Sequence, residues 1–386
     1  MYNIATLNNI SHKGMSLLTD DYQVVEDLAE ASAVIVRSAD MHELELPGGL
    51  LAIARAGAGY NNIPVDKCAE KGIVVFNTPG ANANAVKELV LAAMLIASRN
   101  ILDAVDWAKT LKEGVAAAVE KGKSQFAGAE IYGKTLGVVG LGYIGVLVAN
   151  AAEALGMKVV GYDPYLSVKA AHDLSSSVEL YGKLEAMLPE CDYVTIHVPA
   201  NAETKGMFGA PLLRAMKNKG VLLNFSRDSL VVSKDVKKAL KDQKLRFYIT
   251  DFPTDDMVGV EGTILIPHLG ASTRESEENC AVMAVKEVMN FFEQGVIENA
   301  VNFPAVNPEK KPDDSPRIIV MHKNVPKVLT RLSGSVSEMG INISNMINKS
   351  KGDFSVTILD PDAPVDEQKL RAAYDFEGVI SVRIIP

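Results

Sequence analysis

The segment TLGVVGLGYIG, ending at Gly145, constrains the fold more than any other stretch of this chain. A short apolar run leads directly into Gly140-Leu-Gly142-Tyr-Ile-Gly145, and a helical pattern, VLVANAAEALG, follows. Glycines at these spacings allow a tight turn, a close backbone approach to a pyrophosphate, and tight packing of a helix on its strand. The helix start then turns free N–H groups and the positive end of its dipole toward the phosphates. GxGxxG alone is a weak signal; the strand before it and the helix after it give it weight. A second strand, KVVGYD, ends in Asp163, 18 residues past Gly145. A carboxylate there accepts hydrogen bonds from ribose hydroxyls and repels the extra phosphate of NADP, so the expected cofactor is NAD.

The same alternation of apolar runs and helical patterns extends over most of the chain. AVIVRS, LLAIARAGAGYNNI, GIVVFNTP, YVTIHVP, GVLLNFS, RFYITDF and TILIPHLG read as strands. Helices are expected over Ala85–Ala97, continuing through Trp107, and over Glu275–Glu293. This pattern predicts an α/β protein with parallel sheets. FPAVNPEKKPDDSP holds four prolines and mixed charge, the composition of a linker. Beyond it, RIIVMH, VLTRLSGSVSEM, INISNMI, FSVTIL, EQKLRAAYD and ISVRII give the order β-α-β-β-α-β, a ferredoxin-like split module. The expected domains are a discontinuous flavodoxin-like substrate domain (1–97 and 275–303) and a Rossmann dinucleotide domain (98–274). A linker (304–316) and a small C-terminal domain (317–386) complete the set.

Composition excludes several classes. The 39 basic against 48 acidic side chains give a net charge of −9, which argues against a nucleic-acid partner. Cys68, Cys191 and Cys280 form no CxxC pattern, so neither a zinc site nor a disulfide framework is expected. The N-terminus, MYNIATLNNI, lacks a basic stretch followed by an apolar core. The run from Leu89, LVLAAMLIA, is too short to cross a bilayer. A cytoplasmic protein without a membrane partner is the expectation.

Three further strand ends carry polar side chains: Arg227 in LLNFSRDS, Asp255 in TDFPTDD and His268 in ILIPHLGAST. Open α/β sheets bind ligands at that edge. In this order, with GLGYIG, HVPANAETKGMF, RAGAGYNNI and FNTPGANANAVKEL, the segments resemble the D-2-hydroxyacid dehydrogenase family over roughly Val34–Asn302. Oxidation of a 2-hydroxy acid needs a base for the hydroxyl proton, and the free pKa of histidine lies near working pH, which selects His268. Asp255 is expected to fix the imidazole tautomer, and Arg227 to clamp the substrate carboxylate with its forked donors.

The resemblance also implies cofactor contacts from Tyr143, Ile144, Pro199, Thr204, Ser226, Asp251 and Gly270. The chain departs from the family pattern in places. Asp255 stands where Glu is usual, Asp256 where Pro is usual, and Asp228 follows Arg227 in place of Gly. The family aspartate near the nicotinamide amide would fall on Thr250 by counting, with Asp251 one residue away as its substitute.

Arg37 and Ser38 end one strand, and Arg55 precedes the turn Gly57-Ala58-Gly59. Two arginines beside a backbone-rich turn suit a multiply charged anion, and Lys87 is a third candidate cation. In the family, arginines in these contexts resemble those that hold a phosphorylated substrate. The implied reaction is NAD-dependent oxidation of 3-phospho-D-glycerate to 3-phosphohydroxypyruvate, the opening step of serine synthesis. The alternatives are the same chemistry on glyoxylate, hydroxypyruvate or 2-oxoglutarate, or a non-enzymatic NAD-sensing protein. The C-terminal stretch resembles an ACT domain, with His322, Asn324 and Asn342 at the positions that bind L-serine in serine-sensing members. Lys327 replaces the usual Gly after Pro326. Such modules pair between subunits, which implies a homodimer or homotetramer.

Overall fold

The computed structural model describes residues 1–311 and 315–386. The chain divides into two compact units, residues 1–81 with 274–386, and residues 82–273. In the first unit, β1 (Tyr2–Leu7), β2 (Tyr22–Val25), β3 (Ala33–Val36), β4 (Ala52–Arg55) and β5 (Val74–Asn77) form a parallel sheet ordered β2-β1-β3-β4-β5. β3 reads AVIV without polar alternation because both of its faces are covered. Ile35, Ala54 and Phe76 pack with the returning helix Arg274–Gln294. Val34, Val36, Ile53 and Val75 face a second core with Met41, Leu46 and Cys68.

Residues 82–273 hold β6 (Thr135–Val139), β7 (Lys158–Tyr162), β8 (Glu179–Leu180), β9 (Tyr193–Ile196), β10 (Gly220–Asn224), β11 (Leu245–Thr250) and β12 (Thr263–Leu265). They form one parallel sheet ordered β12-β11-β10-β9-β6-β7-β8. The chain runs outward from β6 through β7 to β8, then restarts at β9 on the other side of β6. This strand-order reversal opens a crevice beyond the carboxyl ends of β6 and β9, where the GLGYIG loop lies.

Beyond the parallel sheets, β13 (Arg317–Lys323), β14 (Ile343–Lys351), β15 (Phe354–Pro361) and β16 (Val379–Ile385) form an antiparallel sheet ordered β14-β15-β13-β16. Helices Val328–Glu338 and Glu367–Tyr374 complete the β-α-β-β-α-β order. Alternate residues serve opposite faces. Ile318, Val320 and Leu359 pack with the two helices; Ile319, Met321, Val356 and Ile358 join Phe291 and Phe292 in the core of the five-stranded unit. Two arginines from this sheet donate to carbonyls in the last turn of helix Arg274–Gln294. Arg317 donates to the Gln294 carbonyl at 2.7 Å, and Arg383 to those of Phe291 and Phe292. Arg317 also forks onto Asp360 at 2.6 and 2.9 Å, a pair almost wholly buried.

The α/β class and the sheet content agree with the sequence, but the boundaries differ. Helix Ala83–Ser98 lies in the unit of residues 82–273, and not with residues 1–81. Its Val86, Val90, Ala93 and Met94 pack with Val148, Ala149 and Ala152 of helix Tyr143–Ala154. The helix expected to continue through Trp107 breaks at Asn100, which takes a left-handed conformation (φ 50°) before Ile101–Lys109; asparagine tolerates that region. Part of the expected linker is packed. Val306 is buried and bridges to Ile297, while positions 312–314 lie outside the described residues. The C-terminal module shares a compact unit with residues 1–81.

Candidate active site

Because β6 and β9–β12 are parallel, their carboxyl ends share one edge, and the cofactor and catalytic candidates of residues 82–273 are carried there. The three glycines after β6 answer to different demands. Gly140 has φ 92°, and a Cβ on it would lie 2.7 Å from the His197 carbonyl; a Cβ on Gly145 would lie 1.9 Å from the Gly140 oxygen. Gly142 is different, because a Cβ there would meet no chain atom within 4 Å. Packing of the chain does not require glycine at Gly142, whereas a pyrophosphate lying against the backbone does. The residues therefore fit a dinucleotide. Beside this loop, Asp163 accepts the N–H groups of Leu141 (2.8 Å) and Tyr165 (2.8 Å), which fixes its carboxylate and leaves lone pairs for ribose hydroxyls. Tyr143 is exposed and Ile144 half-buried at the helix start.

The neighbouring loops are held by their own side chains. Thr204 Oγ1 donates to the Pro199 carbonyl at 2.6 Å, and Asn201 Oδ1 accepts the N–H groups of Glu203 and Thr204. Ser226 Oγ donates to the Ile196 carbonyl at 2.9 Å, linking the end of β10 to β9. His197, at the end of β9, shares a 2.9 Å hydrogen bond with Thr195, and burial pushes its pKa down to about 3. It stays neutral at working pH and carries no catalytic proton.

Arg227 and His268 come together around Phe252. The Arg227 guanidinium lies 5.2 Å from the Phe252 ring centre, and the His268 ring centre 4.4 Å from it, tilted 47°. Both polar groups are exposed, open to a substrate. The carboxylate expected to accompany them does not reach. Asp255 is exposed in a short turn, with no side-chain hydrogen bond or ion pair among the described residues. Asp251 instead is buried, and its Oδ2 accepts the Gly270 N–H at 3.0 Å. Burial raises its pKa, against the pull of the Gly270 N–H and of the nearby Arg227 guanidinium.

In residues 1–81 and 274–386, the anion candidates also have partners. Arg37 pairs with Glu277 at 2.8 Å. Asn8, at φ 85°, gathers the N–H groups of Arg37, Ser38 and Ala39 on its Oδ1 at 3.2, 2.9 and 2.9 Å. Arg55 Nε donates to the Arg37 carbonyl at 3.0 Å, and its guanidinium lies over Gly57, where a Cβ would come within 1.9 Å of it. Asn77 Nδ2 donates to the Ala58 carbonyl at 2.6 Å, fixing the turn that ends in Gly59. Lys87, in the other unit, donates to Asn84 at 2.6 Å.

Comparison with known proteins gives this geometry a context. Residues 91–270 match the D-isomer specific 2-hydroxyacid dehydrogenase, NAD binding domain. The D-3-phosphoglycerate dehydrogenase of Escherichia coli is 30% identical over 390 residues, covering 97% of this chain and 91% of its own length. This chain belongs to the D-isomer specific 2-hydroxyacid dehydrogenase family. The D-3-phosphoglycerate dehydrogenase of Methanocaldococcus jannaschii is 33% identical over 341 residues, 86% of this chain, and the match spans only 63% of that relative's length. Among solved structures, the NAD+-bound 3-phosphoglycerate dehydrogenase of Entamoeba histolytica superposes with a TM-score of 0.63 at 28% identity, covering 78% of this chain and 98% of that one.

Within this family member, the C-terminal candidates are already engaged. His322 is buried, with Nδ1 on the Lys323 carbonyl and Nε2 on Thr357 Oγ1, both at 2.8 Å. Asn324 Nδ2 donates to the Gly352 carbonyl at 3.1 Å, and Asn342 is exposed. Lys327 adopts φ 73°, the left-handed conformation that the usual glycine takes without strain. Sequence reasoning overlooked Phe252, Asn8 and Glu277. Phe252 carried a usable signal, a ring directly after a strand-end acid; nothing local marks Asn8 or Glu277 as partners of the Arg37 loop.

Proposed function

We propose that this protein oxidises 3-phospho-D-glycerate to 3-phosphohydroxypyruvate with NAD as acceptor, opening serine synthesis. The observation that carries this reading is the meeting of Arg227 and His268 on one aromatic ring at the strand-end edge beside the dinucleotide loop. Gly140, Gly142, Gly145 and Asp163 would hold the cofactor, with Tyr143, Ile144, Pro199, Thr204, Ser226, Asp251 and Gly270 around it. When bound, the nicotinamide accepts hydrogen from C2 with its electron pair. Arg227 holds the substrate carboxylate with its forked donors. His268 takes the hydroxyl proton onto a ring nitrogen as the carbonyl forms.

Arg37 and Arg55, with Ser38 and the turn Gly57-Ala58-Gly59, would receive the phosphate. One observation favours a second reading, a smaller unphosphorylated acid such as glyoxylate or hydroxypyruvate: Glu277 already neutralises Arg37. A steady-state screen separates the two. Preference for the phosphorylated substrate over its dephosphorylated analogue supports the first; equal turnover supports the second. In either case His268→Ala lowers turnover at least ~100-fold, the low end for a lost general base. A near-normal rate removes His268 from the chemistry.

The C-terminal module is read as an ACT domain that pairs between subunits of a homodimer or homotetramer in the cytoplasm. L-serine added to the assay tests His322, Asn324 and Asn342 as its effector site.

A further inference from the structure

The segment after β11 carries three acids, Asp251, Asp255 and Asp256, with unlike surroundings. Asp256 is taken by Lys237 at 2.8 Å and Thr254 at 2.7 Å. Asp255 is exposed, so water screens its charge. Asp251 is 1% exposed, and its Oδ1 is buried without a hydrogen-bond partner. Its Oδ2 is bound to the N–H of Gly270, two residues past His268, which ties this carboxylate to the loop that carries the imidazole. The adjacent residue, Phe252, is fixed by donation of its N–H to Thr250 Oγ1 at 3.0 Å and contacts both His268 and Arg227.

We propose that Asp251 and Phe252 are the positioning residues for His268, Asp251 anchoring its loop and favouring the protonated ring, in place of Asp255. The proposal rests on His268 as the base. The charged and titratable groups carried at this sheet edge come from two strand ends. Arg227 and Asp228 follow β10; Tyr248 lies in β11, with Asp251 and Asp255 beyond it. A charge held in a dry environment acts more strongly than an exposed one at similar range. The Phe252 ring adds the attraction of its π-face for a cation. An unpartnered buried carboxylate oxygen is costly, and a proton arriving on the neutral His268 ring during the reaction offsets that cost.

The test compares D251N, D255N, F252L and F252Y. Asn at 251 keeps an oxygen for the Gly270 N–H while removing the charge. Two quantities are measured: the imidazole titration of His268 by NMR in the cofactor-free protein, and the acid limb of kcat/KM. In D251N both should move down by roughly one pH unit, as for loss of a neighbouring carboxylate, with kcat at least ~10-fold lower. D255N should move them by less than half as much. F252L should lower kcat, and F252Y should restore it. If D251N weakens NAD binding by calorimetry yet leaves the His268 titration in place, Asp251 serves the cofactor alone and the proposal fails. It fails equally if D255N shifts the titration as far as D251N. An H268A enzyme that retains the wild-type acid limb overturns the assignment of the base, and this proposal with it.

Discussion

Glu287 lies in helix Arg274–Gln294 with its side chain buried. One oxygen accepts Asn299 Nδ2 at 2.8 Å, and the other is buried without a partner. Burial pushes its pKa from 4.5 to about 8, with the nearby Glu298 adding to the rise. A carboxyl whose folded value exceeds its unfolded value keeps its proton in the native state, so folding takes up a proton between pH 4.5 and about 8. Stability is therefore greatest below that window and falls as pH rises through it. The full interval sets a ceiling of roughly 5 kcal/mol at about 1.4 kcal/mol per pH unit. Relaxation and water entry around the ionised group reduce the expected loss to about 2–4 kcal/mol. Glu287→Gln keeps the acceptor for Asn299 and removes the charge. Urea unfolding at pH 5, 7 and 9, at fixed ionic strength, should show variant and wild type nearly equal at pH 5 and the variant more stable at pH 9. Parallel stability profiles across that range would refute the reasoning.

Three further outcomes are expected. Arg317→Ala strands the Asp360 carboxylate and frees the Gln294 carbonyl, so urea unfolding should show a loss of about 3–5 kcal/mol; a loss under about 1 kcal/mol would mean that water replaces the guanidinium freely. Gly142→Ala should leave the melting temperature in place while weakening NAD binding by calorimetry at least ~10-fold, whereas Gly145→Ala, whose methyl would strike the Gly140 oxygen, should lower both. Lys327→Gly relieves a side chain at φ 73° and should raise stability by about 1 kcal/mol in urea unfolding.

The sequence made the repeating strand-and-helix order legible because parallel strands covered on both faces lack polar alternation, and β3, β5 and β10, apolar up to the Asn that ends the last two, say so in four or five letters each. It was silent where elements are short or one-sided: β1, with its mixture YNIATL, and the two-residue β8. The domain boundary is hard to read for a related reason. Helix Ala83–Ser98 has an apolar side that fits either neighbouring core, and only packing against Val148 and Ala152 decides between them. At the site, strand ends located Arg227 and His268, since the edge of a parallel sheet follows from topology. The setting of the acids did not follow, because burial depends on how the turn runs, and Asp251 is buried while Asp255, four residues later, is exposed.

The placement of the C-terminal sheet limits how any effector could act on the rest of its unit. Ile318, Val320 and Leu359 pack with its own helices, and Ile319, Met321, Val356 and Ile358 join Phe291 and Phe292 on the other side. A module held on one side only can swing; one whose arginine also caps helix Arg274–Gln294 leaves the Gln294 carbonyl without that donor if it leaves. Signalling by detachment is therefore costly. The same helix carries Glu277, the partner of Arg37, in its first turn, and Gln294, the partner of Arg317, in its last. A small axial shift imposed at the arginine end would move the carboxylate that neutralises the candidate phosphate-binding arginine.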